Sequence, residues 1–195
     1  MGNRRLGRKR LYAVEKKGQK VSLAPGAGIS GSIIGAWQHR EGYKIITEIA
    51  VDLGASQSTV KSGGTDRDVI GVVAGGAAYL TQMTEAKYGV ITEVRAVVLE
   101  TPASLADIDI EHGVDGDGAQ DGTDGGTSTS LITGLSVAGE DTSVTIDDNS
   151  ASDKYLYICN GANDTADDFT AGKLLIYLYG FVAPDDKTDF GTEAA

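Results

Sequence analysis

The chain has 195 residues, of which 41% are hydrophobic, and a formal net charge of −11. This length and apolar content suffice for one hydrophobic core, and no apolar run approaches the length of a membrane span. A single cysteine, Cys159, excludes an intrachain disulfide framework and a cysteine-built metal cluster. The basic N-terminus is not followed by a hydrophobic segment, so it does not resemble a secretory signal. We therefore expect a soluble protein that is assembled in the cytoplasm.

Residues 1–22 are predicted to form an extended basic arm. Residues 1–20 contain eight basic residues and one acidic residue, Glu15, which gives +7 and leaves −18 for the other 175 residues. Such asymmetry favours a basic segment that docks on a negative surface, and a soluble acidic body. The residues expected to contact a partner are Arg4, Arg5, Arg8, Lys9, Arg10, Leu11, Tyr12, Lys16 and Lys17.

Three roles are open for the arm. The candidate roles are a solubilising tail, a segment that contacts nucleic-acid phosphates, and a segment that lies across an acidic neighbouring subunit. An acidic body would repel a duplex, so nucleic acid is a less favoured partner than protein. We expect the arm to bind protein.

The first glycine-rich segment, residues 22–35, contains the pattern Gly26-x-Gly28-x-x-Gly31. A dinucleotide fingerprint needs a strand before this pattern and a helix after it. Here the basic arm precedes it, so we assign no cofactor.

The rest of the chain is predicted to form a series of β-strands. Residues 43–53 alternate apolar and polar side chains with a period of two, which is typical of a half-buried strand. The alternation in 106–112 predicts Ile108 and Ile110 inward and Asp107, Asp109 and Glu111 outward. Further strands are expected at 69–73, 77–83, 90–101, 131–138, 143–146, 155–159 and 173–182.

Many short strands with glycine-rich and aspartate-rich turns indicate an all-β protein. The expected fold is a jelly-roll or Greek-key β-sandwich over residues 23–184, with the basic arm at 1–22 and an acidic tail at 185–195. These three ranges are the predicted domain organisation.

The segment 173–182 is expected to be the structural centre. Its two alternating side-chain sets are both apolar, so it lies in the middle of a sheet, or covers the core with one face and meets a partner with the other. The set with Tyr177, Tyr179 and Phe181 is the predicted partner-binding face.

The loop at 113–130 is rich in Gly and Asp. Because hard cations prefer carboxylate oxygens, its acids are calcium candidates. The EF-hand pattern fails at Ala119 and Gln120, so a solvated surface loop is favoured. The candidate ligands are Asp115, Asp117, Asp121 and Asp124.

Catalytic chemistry finds little support in the sequence. His39 and His112 are the only histidines, and Cys159 stands in an apolar strand, where a buried structural cysteine is favoured over a nucleophile. The acids Glu48 and Asp52 lie on the polar face of a strand, where solvation explains them. We therefore predict no catalytic residues, no cofactor and no enzyme.

Several segments together resemble virion structural proteins of marine tailed bacteriophages. The resemblance spans most of the chain apart from 113–130, and is structural rather than chemical. It is carried by VEK (14–16), GAGI (26–29), HREGYKIITE (39–48), DVIG (68–71), AGGAAY (74–79) and AGKLLI (171–176).

The resemblance implies a capsid decoration or cement protein, β-rich and trimeric, on the virion surface. Its partners would be the major capsid protein and copies of itself, with no membrane. Two alternatives remain open: a tail or fibre protein that binds a receptor or sugar, and an inner-capsid protein that contacts DNA through its arm.

Overall fold

The structure, a computed structural model, describes residues 18–54, 60–61, 69–71, 77–103, 107–114, 129–147, 150–161 and 168–182. Short 3₁₀ and α-helical turns occur at Ser30–Ser32 and Glu85–Tyr88 (α1). The strands are β1 Gln19–Lys20, β2 Ile33–Glu41, β3 Lys44–Asp52, β4 Val60–Lys61, β5 Thr81–Gln82, β6 Val90–Glu100, β7 Ile108–Gly113, β8 Thr129–Leu135, β9 Asp141–Thr145, β10 Tyr155–Asn160, β11 Asp168–Phe169 and β12 Lys173–Phe181.

The strands form two main antiparallel sheets. The larger sheet has the order β1-β2-β3-β12-β6-β9, and the smaller has the order β5-β10-β7-β8, while β4 and β11 form a separate pair. After β6 the chain enters the smaller sheet for β7 and β8, returns for β9, and alternates again through β10 and β12. The prediction of an all-β sandwich is confirmed.

Strand β12 lies at the centre of the six-stranded sheet, as its sequence predicts. All nine of its residues pair with both β3 and β6. Leu174, Ile176 and Leu178 are each at most 1% exposed on its inner side. Burial of each such side chain stabilises the fold by about 1.5–3 kcal/mol.

One contiguous core joins the two sheets. Ile108 and Ile110 of β7 and Leu156 and Ile158 of β10 belong to the same buried cluster as the inner residues of β12. Cys159 in β10 is 1% exposed, so the prediction of a buried cysteine is confirmed.

Two predicted strands are shorter than expected, and β2 was not expected at all. Of 69–73, the described part forms only an isolated bridge between Val69 and Cys159, and 72–76 lie outside the described residues. Of 77–83, only Thr81–Gln82 is a strand. The Leu80 N–H still donates to Leu156 of β10, whereas the carbonyls of Tyr79 and Ala77 accept from the N–H groups of Gly26 and Gly28.

The glycines at 26 and 28 serve close backbone packing. A Cβ on Gly28 would lie 2.1 Å from the carbonyl oxygen of Gly71, and one on Gly26 would lie 2.4 Å from that of Ala77. No side chain fits at such separations. Glycine at positions 26 and 28 therefore allows this backbone segment to pack directly against the backbone of Gly71 and Ala77.

The expectation that Asp107, Asp109 and Glu111 face outward to solvent is wrong for the two that lie in β7. Asp109 and Glu111 are 4% and 1% exposed. Their strand lies between β10 and β8, and all six of its residues are buried. Asp109 Oδ1 accepts the N–H of Gly134 at 2.8 Å, and Glu111 Oε1 accepts the hydroxyl of Ser130 at 2.9 Å. These bonds offset the cost of burying the carboxylates.

We expect Ile176→Ala to lower the free energy of unfolding by about 2–5 kcal/mol, because it removes a fully buried side chain from the central strand. The matched control is Leu175→Ala, one residue away on the half-exposed side. Urea denaturation should show a clearly smaller loss for the control. Equal losses would contradict the assignment of inner and outer faces.

Candidate functional site

The candidate site is the outer face of the six-stranded sheet, which points away from the smaller sheet. On β12 this face consists of the residues that alternate with the buried set, and these are half-buried or exposed. Tyr177 and Tyr179 lie near its centre, and Phe181, 43% exposed, lies at the end of the strand. The predicted division of β12 into two faces is thus confirmed, while its role in binding stays a prediction.

Cross-strand pairing aligns the side chains of this face in rows. The central row runs across β2, β3, β12, β6 and β9, and each member pairs with the next. In that order it consists of Trp37, Glu48, Tyr177, Arg95 and Ser143. The adjacent row consists of His39, Ile46, Tyr179, Glu93 and Thr145.

The indole of Trp37 lies on the backbone of its own strand. A Cβ on Gly35 would be 2.8 Å from Cη2 of Trp37, so the glycine leaves the space that the ring occupies. Gly35 and Ala50, which pair across β2 and β3, are both buried. The ring therefore covers small residues and widens the flat aromatic surface.

Two tyrosine rings form the centre of the outer face, and each has a cation above it. The rings of Tyr177 and Tyr179 are 6.2 Å apart at an interplanar angle of 21°. Lys44 Nζ lies 4.6 Å from the centroid of Tyr179, and the Arg95 guanidinium lies 5.7 Å from that of Tyr177. Cations are attracted to the negative faces of aromatic rings. The outer face thus already binds lysine and arginine side chains.

Arg95 is fixed by an ion pair with Asp141 of β9. Its Nε donates to Oδ1 at 2.6 Å, and its Nη2 donates to Oδ2 at 2.5 Å. This two-point geometry is the strong form of the arginine–carboxylate pair. The guanidinium holds the pKa of Asp141 below its ordinary value, and the carboxylate raises the pKa of Arg95.

The carboxylates near the tyrosines give the middle of the face a negative character. Burial, and then the charge of Glu48, raise the pKa of Tyr177. Within the described part of the chain, Glu48 and Glu93 have no lysine or arginine at ion-pair distance. Lys173, by contrast, forms an ion pair with Glu100, and its Nζ lies 3.7 Å from Oδ2 of Asp52.

The basic arm joins this sheet at its edge. β1 pairs with β2 so that Lys20 is opposite Trp37 and Gln19 is opposite Gln38. Gly18 adopts a φ of 64°, where the backbone turns away from a regular strand. The chain before it therefore starts beside the aromatic face. The predicted arm contacts from Arg4 to Lys17 lie outside the described residues and stay predictions.

The calcium candidates Asp115, Asp117, Asp121 and Asp124 also lie outside the described residues. Within the described ranges, no group of three or more His, Cys, Asp or Glu side chains is placed to hold a metal ion. In the same ranges, no helix has the length and apolar character to cross a membrane.

Sequence reasoning missed three members of the outer face: Trp37, Glu48 and Arg95. Trp37 was missed because β2 was not expected. Glu48 was assigned to a polar strand face, Arg95 lies in the strand expected at 90–101, and nothing local in the sequence shows that β12 lies between these two strands. The available signal was the alternation of Trp37 and His39 with smaller or polar residues in 35–40.

Comparison with known proteins gives no assignment, since no family model, no curated protein and no solved structure matches the chain.

We expect Gly35→Ala to displace the indole of Trp37 toward solvent, because the new methyl group would occupy the position of the ring. Trp37 is the only tryptophan, so its fluorescence emission should shift to longer wavelength. Gly31→Ala is the control, as a Cβ at that position meets nothing within 4 Å. Unchanged emission in Gly35→Ala would contradict the position of the ring on the outer face.

We expect the stability supplied by the Arg95–Asp141 pair to depend on pH. The folded pKa of Asp141 is lowered, so this contribution is complete above the ordinary aspartate pKa and disappears as pH falls through the folded pKa. Denaturation of Asp141→Asn should show a stability difference from wild type at neutral pH that closes in acid and shrinks in high salt. Asp153→Asn removes the same charge at an exposed turn and is the control. A difference that persists in acid would contradict the ion-pair origin.

Proposed function

We propose that this protein is a non-enzymatic structural protein of a phage virion, a capsid decoration or cement protein that binds the major capsid lattice. The observation that carries the proposal is the outer face of the six-stranded sheet, which presents Trp37, Tyr177 and Tyr179 and lies beside the start of a basic arm. The sequence resemblance to virion structural proteins supports the same class.

Aromatic side chains on a regular sheet are suited to protein binding. They offer large contact areas with little loss of conformational entropy, and they are enriched at interfaces. On the outer face they are held by the sheet backbone and by Arg95 and Lys44, so the surface is formed before binding. Partly exposed aromatic side chains grouped on one sheet face are suited to an interaction surface. In this proposal the face mediates contact between copies of the protein.

The basic arm supplies the reach that a cement protein needs. A shell under internal genome pressure gains stability when added subunits bridge neighbouring positions, and an arm crosses a junction without enlarging the folded body. The +7 charge of residues 1–20 suits an acidic protein surface. Its contribution is electrostatic, so it is stronger at low salt.

A tail or fibre protein that binds a sugar is the second candidate. It is favoured by the alignment of Trp37 and Tyr177 in one row with Glu48 between them. Aromatic rings stack on the apolar faces of sugars, and a carboxylate accepts hydrogen bonds from their hydroxyls.

The test uses purified capsids that lack the protein, mixed with the full chain and imaged by cryo-electron microscopy. We expect density at regular symmetry positions on the shell. A variant with Gln at Arg4, Arg5, Arg8, Lys9 and Arg10 should lose occupancy, with the larger loss at low salt. Tyr177→Ser with Tyr179→Ser should also reduce occupancy. Leu99→Ser is the control, because it replaces an exposed apolar side chain of β6 with a polar one and leaves the tyrosines intact.

A bare shell with the wild-type protein would overturn the cement proposal. Binding to tails, or to host surface polysaccharide in a pull-down that Trp37→Ala abolishes, would then favour the second candidate. Binding to DNA with a steep dependence on salt would instead indicate an inner-capsid protein.

A further inference from the structure

We infer that the basic arm of one copy, residues 1–17, binds the outer face of the six-stranded sheet of a second copy. The outer face would thus be a receptor for a segment of the same chain. The inference rests on the self-association in the proposed function and is independent of binding to a shell.

The position of β1 places the arm within reach of this face. β1 pairs antiparallel to β2, so the chain approaches from the end of the sheet where β2 and β3 are joined. Seventeen extended residues span about 56 Å, while six strands extend over about 24 Å. An arm that starts at one edge can therefore cross the whole outer face of an adjacent copy.

The charges of arm and face are complementary. Residues 1–17 hold seven basic residues against Glu15, a net +6. On the face, Arg95 is paired with Asp141 and Lys173 with Glu100. This leaves Glu48 and Glu93 near the tyrosines, while the ammonium of Lys44 lies above Tyr179 and Lys20 is opposite Trp37 at the edge of the face. An approaching cation therefore meets carboxylates in the middle of the face, and the attraction is strongest at low salt.

The aromatic rings add a second type of contact for the same cations. Lys44 and Arg95 show that Tyr179 and Tyr177 already hold an ammonium and a guanidinium above their rings. Trp37, the best ring for such contacts, is half-buried at the edge where the arm enters. Leu11 and Tyr12 in the arm supply apolar side chains to pack beside Ile46, which is half-buried on the face.

The direction of β1 suits binding to a neighbouring copy. Traced backwards from Lys20 to Gln19, the chain runs beside β2 toward Glu41, and at Gly18 the backbone leaves the strand. In our inference the arm then continues to a neighbour placed at that end of the sheet. Contacts from arm to face are head-to-tail, and such contacts form rings when the rotation between copies closes. Cyclic oligomers, including the expected trimer, satisfy every arm and every face.

The test is a complementation experiment in solution with full-length chains. The arm variant has Gln at Arg4, Arg5, Arg8, Lys9 and Arg10, and keeps an intact face. The face variant has Trp37→Ala with Glu48→Lys, and keeps an intact arm. The control is Glu85→Lys, which reverses one exposed charge on α1. Circular dichroism and thermal unfolding check that each variant folds.

In sedimentation at micromolar concentration and low salt, the wild type and the control should be oligomers, and each variant alone should be a monomer. An equimolar mixture of the two variants should form a species of twice the monomer mass, because one intact arm can engage one intact face. High salt should dissociate it.

Three results would overturn the inference. A wild-type monomer would remove the second copy as occupant. An arm variant or a face variant that remains oligomeric like the wild type would place the contact elsewhere. A mixture that stays monomeric would exclude an arm-to-face contact between copies. Shell binding can fail while this complementation succeeds, so the two proposals are tested separately.

Discussion

The pairing of β12 with both β3 and β6 is the constraint on which the rest of the structure depends. Because every residue of β12 is paired on both sides, the two faces of the sheet are fixed by its alternation. The leucine and isoleucine side chains on one face close the core. The tyrosines on the other have no room in that core, and the same backbone presents them as a rigid surface. The side chains that stabilise the core and those of the proposed binding face thus lie on opposite sides of one strand.

Much of the fold could be predicted from local pattern. The alternation in β3, β6 and β12 is strong because one face of each strand is buried, and the strands were found close to their observed limits. β2 was missed, since Gly35 and the polar residues after Trp37 dilute its alternation. The acids of β7 were assigned to solvent because a strand buried on both faces normally lacks charges, and only the packed structure shows Asp109 and Glu111 in hydrogen bonds with β8.

The candidate site was harder to predict than the fold. Tyr177, Tyr179 and Phe181 were identified because they share one strand, and the period of two places them on one side. Trp37 and Arg95 join them only through strand order, which sets β12 between segments that are distant in sequence. A sequence pattern reports periodicity within a strand, whereas a surface built across five strands depends on the topology. The charge of the arm was predicted from composition, but the face proposed to bind it was not.

The central place of β12 also has a consequence for synthesis on the ribosome. β3 and β12 are adjacent in the sheet but are separated by residues 53–172 in the chain. Until the last strand emerges, β3 and β6 lack the neighbour that joins them, and residues such as Ile49 and Val94 stay uncovered. Long-range pairing of this kind slows folding and leaves unpaired apolar strands exposed to other chains. The large sheet can therefore be completed only after residues 53–172 have been synthesised and β12 is available to pair with β3 and β6.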